Sequence, residues 1–204
     1  MTLHNLLANS ELHEPKGVAT AADNDVYIAN GSGSGSWAPL VENIDADDFV
    51  ENLAVTGLGD YAILGMSITN WLHDIADAQI GIQVGNSGGY YTTANGYKYV
   101  AWEPTSNSRS FIEDLSNETI PIGMGTETFS PTNPQNWHMV IYNFNKPLYK
   151  VVKFTSGIHY NSFFTTSGLC IIKSAAAMDR IRVFEEEVAS YDAQGRYQLW
   201  GVKG

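Results

Sequence analysis

Five histidines, one cysteine and a few clustered acids are the residues in this chain with reactive side chains, and their spacing decides what chemistry they support. His4, His13, His73, His138 and His159 never fall three to five residues apart, and Cys170 has no neighbouring ligand, so no zinc spacing is present. Asp45, Asp47 and Asp48, with Glu51 close by, form the densest carboxylate cluster. A calcium loop of the EF-hand type needs alternating acids, a turn glycine and a distal Glu, and none is placed to give that geometry. The cluster reads instead as acids capping a short helix over residues 44–53, where they suit the helix dipole. In the run from Gly31 to Ser36, glycine and serine alternate out of phase with a G-x-S-x-G nucleophile elbow. Asp74, Asp77, Glu103, Glu113, Asp114 and Glu127 supply acids for a facing carboxylate pair, but nothing in their spacing selects one. The expectation is a protein that is not an enzyme and that holds no metal and no cofactor.

Aromatics are the other concentrated resource. Tyr90, Tyr91, Tyr97, Tyr99 and Trp102 fall within a short stretch, and such rings offer large flat apolar area at low entropic cost, as a glycan or protein contact requires. The competing reading divides them between the core and cross-strand pairs.

The elements that must carry these residues follow a period of two. Residues 61–72 and 78–84 alternate apolar and polar side chains, and further strands are expected at 137–144, 148–154, 169–173, 180–184 and 196–202. Residues 90–94 and 97–102 are rich in β-formers and flank Asn95-Gly96, the signature of a two-residue hairpin. Helix is expected only at 44–53 and, for a turn or two, at 110–115. About eight strands without long amphipathic segments between them point to an all-β protein, an antiparallel β-sandwich of the jelly-roll kind.

Charge divides the chain. Of 204 residues, 44% are hydrophobic, enough for a core, while 22 acids against 11 bases oppose the polyanion contacts of a nucleic-acid binder. Residues 1–60 hold ten of those acids (Glu11, Glu14, Asp23, Asp25, Glu42, Asp45, Asp47, Asp48, Glu51, Asp60) and the single base Lys16. That acidic third contains one predicted strand, 25–29, and the Gly/Ser run. Three segments are therefore expected: an extended N-terminal arm with a flexible linker over 1–36, a connecting segment over 37–60, and a sandwich over 61–204. One cysteine excludes an intrachain disulfide framework, and no apolar run is long enough for a signal peptide or a spanning helix, so membrane insertion is not expected.

The segments Leu12-His13-Glu14-Pro15-Lys16-Gly17-Val18, Val26-Tyr27-Ile28-Ala29-Asn30-Gly31 and Gly33-Ser34-Gly35-Ser36-Trp37 resemble an element of virion surface proteins of tailed bacteriophages. The ending Leu199-Trp200-Gly201-Val202-Lys203 is similar to the "-LYGVK" close of phage β-sandwich modules. Trp200 stands where a Tyr is usual, and Asn30 where an Asp is usual. The resemblance implies a particle-surface protein made in the host bacterial cytoplasm, foremost a capsid decoration or cement protein. It would be anchored to the major capsid protein, or another virion protein, through Leu12, His13, Glu14, Pro15, Lys16, Gly17, Val18, Tyr27 and Trp37. By analogy the assembly is a homotrimer. The alternative it implies is a tail or head fibre protein that recognises a host glycan through the aromatic hairpin.

Overall fold

Strands with one buried face need alternating side chains, and the central strand of this protein supplies them: Leu64, Met66 and Ile68 point inward while Ser67 and Thr69 do not. The computed structural model describes residues 25–29, 35–39, 41–48, 52–72, 80–105, 108–117, 119–122, 135–160, 162–185 and 194–204. They form β1 (Asp25–Ala29), β2 (Gly35–Pro39), β3 (Glu42–Asp48), β4 (Asn52–Thr56), β5 (Tyr61–Leu72), β6 (Ile80–Asn86), β7 (Gly89–Tyr90) and β8 (Tyr97–Thr105). The chain continues through β9 (Ser108–Asn117), β10 (Ile120–Ile122), β11 (Gln135–Tyr142), β12 (Lys150–Tyr160), β13 (Ser162–Ile172), β14 (Arg180–Glu185) and β15 (Gln194–Lys203).

Two compact units result, Met1–Glu42 and Asn43–Gly204. In the first, β1 and β2 pair antiparallel with Tyr27 opposite Trp37. The second is an antiparallel β-sandwich. An eight-stranded sheet runs β3-β15-β5-β11-β12-β13-β8-β9, and a five-stranded sheet runs β10-β6-β14-β4 with β7 added on β6. Leu64, Met66, Met139, Ile141, Val152 and Leu199 bury the inner face of the large sheet, and Leu53, Ile82, Val84, Ile120, Ile181 and Val183 that of the small one. Each such side chain stabilises the fold by roughly 1.5–3 kcal/mol. Cys170 lies in this core, where burial pushes its thiol up to about 12 and keeps it inert.

Several sequence expectations need correction. Of the predicted helix at 44–53, residues 44–48 belong to β3 and 52–53 to β4, while 49–51 lie outside the described residues. The predicted turn of helix at 110–115 lies within β9. Both stretches carry apolar residues at helical spacing, Ala46, Phe49, Val50 and Leu53 in one and Phe111, Ile112 and Leu115 in the other, but pairing with β15, β14 and β8 overrides that local pattern. Gly35 and Ser36 are strand residues paired with Ala29 and Ile28, so this end of the Gly/Ser run closes a hairpin; residues 30–34 lie outside the described residues. The contact boundary falls after Glu42, and the expected connecting segment of 37–60 instead finishes β2 and supplies β3 and β4. Asn95-Gly96 is a turn, with Asn95 at a φ of 62° and Gly96 N donating to Thr93 O at 2.8 Å, but it joins no hairpin. β7 pairs with β6 through the two-residue loop Ser87-Gly88, while β8 pairs with β13 and β9.

One end of the sandwich is held by a buried cation. Lys150 is fully buried, and its Nζ donates to the carbonyls of Lys146, Leu148 and Ala176 at 2.7, 2.6 and 2.6 Å. Its three N–H groups thus tie the loop before β12 to the connection between β13 and β14. Phe144 extends the same junction, donating its N–H to Ala62 O and accepting from Met178 N, each at 2.9 Å. Replacing Lys150 with Met removes the donors and leaves three acceptors short, so Lys150→Met should lower unfolding stability by about 3 kcal/mol in urea, while exposed Lys153→Met stays within about 0.5 kcal/mol. Desolvation pulls the Lys150 ammonium from the usual 10.5 to about 8. Between those values the unfolded chain binds a proton that the folded chain has lost, so Lys150 contributes stability that rises with pH. The stability gap between the natural chain and Lys150→Met, measured by denaturation from pH 8 to 10, should therefore widen with pH.

Candidate functional site

Of the five aromatics, the structure withdraws two from solvent. Tyr97 is fully buried and Tyr99 is 3% exposed, both on the inner face of β8, so neither contacts a ligand as the aromatic-hairpin reading required. The Tyr97 hydroxyl donates to Tyr91 O at 3.0 Å and accepts from Val84 N at 3.1 Å, bridging the segment before β8 to the small sheet. Burial raises its phenol well above the usual range. Tyr91 packs against the core, its ring 5.8 Å from that of Tyr97. Tyr90 lies 4.5 Å beneath the Arg182 guanidinium, which also covers Phe184 at 4.7 Å and donates to Gln83 Oε1. Trp102 alone of the group is widely open, at 54% exposure.

Other candidates scatter. Leu12 to Val18, His4, His13, His73, Asp74, Asp77 and Glu127 lie outside the described residues, and the side chains of Trp37, Glu103, Glu113, Asp114 and His159 are likewise not described. Asp45 accepts from the Tyr197 hydroxyl at 2.7 Å, a strand-to-strand contact in place of the expected helix cap. Among the described residues no group of three or more His, Cys, Asp or Glu is placed to hold a metal.

What the large sheet does assemble is a sorted outer face. Direct pairing aligns Gln198, Ser67, His138, Thr155, Ser167 and Trp102 in one row across six strands. The next row holds Thr69 opposite Arg196, then Asn136, Gly157 and Thr165. Apart from Trp102, which sits beside them, the residues of these two rows line adjoining depressions of about 450 and 290 Å³ that share Ser67 and Thr69. Ser67 Oγ sits 2.8 Å from His138 Nδ1, and the imidazole stacks on Trp200 at 6.4 Å. Gly65 makes room for that indole, since a Cβ there would overlap Trp200 at 2.1 Å.

A backbone irregularity shapes the polar half. Both neighbours of β5 shift register at Asn70, β15 between Gln194 and Arg196 and β11 between Gln135 and Trp137. Asn70 has a φ of 53° and its N–H donates to Asn136 Oδ1 at 3.0 Å. Bulges of this kind bend a strand and turn successive side chains to one face, here Thr69 and Asn70, both exposed. The opposite half of the face is apolar: Tyr142, Val151 and Ile171 align in one row beside Leu169, at 41, 38, 46 and 49% exposure. Single-sequence reasoning had no access to these rows, because isolated Ser and Thr at alternate positions look like any solvated strand face.

Comparison with protein-family models, with curated proteins and with solved structures yields no match to this chain. The roles assigned to the aromatics are separable by stability: Tyr97→Phe, which strips two buried backbone groups of their partner, should cost about 1–3 kcal/mol in a thermal or urea melt, whereas Trp102→Ala should change it by less than about 0.5 kcal/mol.

Proposed function

We propose that this chain is a structural virion protein of a tailed bacteriophage, a capsid decoration protein held on the outer head surface through its N-terminal unit. The observation that carries the reading is the coincidence of motif and unit. Tyr27 and Trp37, residues of the phage-like segments, oppose each other in a hairpin belonging to Met1–Glu42, a contact unit of its own. An acidic anchoring unit joined to a β-sandwich body suits a protein that docks on a shell and displays a module outward, where many symmetric copies add avidity.

Strand order supports a jelly-roll relation for the body. The chain crosses repeatedly between the sheets, with β4 small, β5 large, β6 and β7 small, β8 and β9 large, β10 small, β11 to β13 large, β14 small and β15 large. The apolar row of Tyr142, Val151 and Ile171 favours self-association, in keeping with the homotrimer, since a patch of this kind loses water contact when copies pack.

Removing residues 1–42 should leave a sandwich with native strand content by circular dichroism that no longer joins particles in a reconstitution assay. Full occupancy by the truncated chain would overturn the anchoring role. Copy number per particle checks the location: hundreds fit a decoration protein, and a few tens or fewer fit a tail or vertex component.

A further inference from the structure

We infer that the polar half of the outer face of the eight-stranded sheet is a binding groove for a neutral oligosaccharide, with Trp102 as its stacking platform. The inference does not depend on where in a particle, or whether in one, the chain resides.

The lining chemistry selects the ligand class. Ser67, Thr69, Thr155, Thr165 and Ser167 place hydroxyls, and Asn136 a carboxamide, in two adjacent rows; within the protein Ser67 Oγ bonds His138 Nδ1, Thr69 Oγ1 donates to Arg196 O and Asn136 Oδ1 accepts from Asn70 N, each group keeping further donor or acceptor capacity. A hydroxyl both donates and accepts, and so does a carboxamide, so this wall is matched to a ligand whose own groups do the same at close spacing. Sugar hydroxyls are such groups. A polyanion would instead call for several cations, and among the described residues Arg196 is the one Lys or Arg lining the two depressions. Among the described residues no Asp or Glu lines them either, so a cationic ligand finds no counter-charge there.

Shape agrees with chemistry. The larger depression, at about 450 Å³, falls within the roughly 300–1,000 Å³ of small-molecule sites. Gly157, between Asn136 and Thr165 in the ladder, leaves the floor without a side chain at the middle of its row. The bulge at Asn70 raises Thr69 and Asn70 together along one side. Trp102, directly opposite Ser167, ends the polar row with an indole 54% exposed. A flat ring beside a line of hydroxyls meets both sides of a pyranose, its apolar C–H face and its equatorial hydroxyl edge. Trp200, stacked on His138, places a second aromatic on β15, the strand at the row's other end.

Position on strands makes the array rigid. The hydroxyls are spaced by the ladder rather than by loops, so little ordering entropy is lost on binding. The sequence proposed the neighbouring aromatics as glycan contacts. The structure keeps Trp102 from that set and replaces the buried Tyr97 and Tyr99 with a hydroxyl wall on the strands beside it.

The test uses the full chain against an array of neutral, acidic and sulfated oligosaccharides, followed by titration of the neutral hits by calorimetry or NMR. Binding of neutral oligosaccharides is expected, with Trp102→Ala and, separately, the isosteric Thr155→Val each weakening it at least tenfold. Tyr142→Ala, in the apolar half, should leave affinity unchanged, and unaltered melting curves establish that all three variants fold. Absence of any neutral ligand at millimolar concentration would overturn the groove, as would preference for acidic or sulfated glycans. Binding indifferent to both Trp102→Ala and Thr155→Val would overturn it equally, since the sugar would then sit elsewhere.

Discussion

Everything in the sandwich depends on the two-residue period of β5, the strand that β15 and β11 flank within the large sheet. Its inward set, Leu64, Met66 and Ile68, has no exposed surface beyond 1%, and its outward set includes Gly65, Ser67 and Thr69. A slip of one residue would exchange the two sets and place hydroxyls in the core, so burial pins the register of β5 and, through the ladder, of its neighbours. The same constraint that builds the core therefore builds the row of hydroxyls on the other side. Core and groove are two faces of one register.

Where the ladders end, a different interaction takes over. Lys150 supplies three donors to carbonyls of two separate loops, and the cost of burying an ammonium is offset in part by this hydrogen bonding. No acid accompanies it among those contacts, so its charge is held by backbone dipoles alone. Tyr97 plays the equivalent part between the sheets, its hydroxyl taking one N–H and giving to one C=O. In both cases a polar group in the interior closes backbone valences that strands leave open at their ends.

The outer face of the large sheet is divided by the same geometry. One half is polar and concave beside the bulge at Asn70. The other carries Tyr142, Val151, Leu169 and Ile171 in contact with solvent. A face sorted in this way presents two surfaces of different chemistry on one rigid scaffold, one lined by hydroxyls and one by apolar side chains.

The antiparallel sandwich was legible in the sequence because its major strands alternate strongly: β5 runs over the predicted 61–72, and β11 to β15 overlap their predicted ranges. Strands whose pattern is broken by acids or small residues, such as β2, β3 and β9, were not legible, since their backbones are decided by partners far along the chain. Local turn chemistry placed a turn at Asn95-Gly96 correctly but was silent on which strands it joins, because a turn sets direction and not pairing. The single cysteine and the acidic N-terminal third are properties of the sequence by itself. Which tyrosines are buried, where Trp102 faces, and how hydroxyls from β5, β12 and β13 come to share one row were decided only by the tertiary ladder. Register between distant strands is a long-range property, and no single segment encodes it.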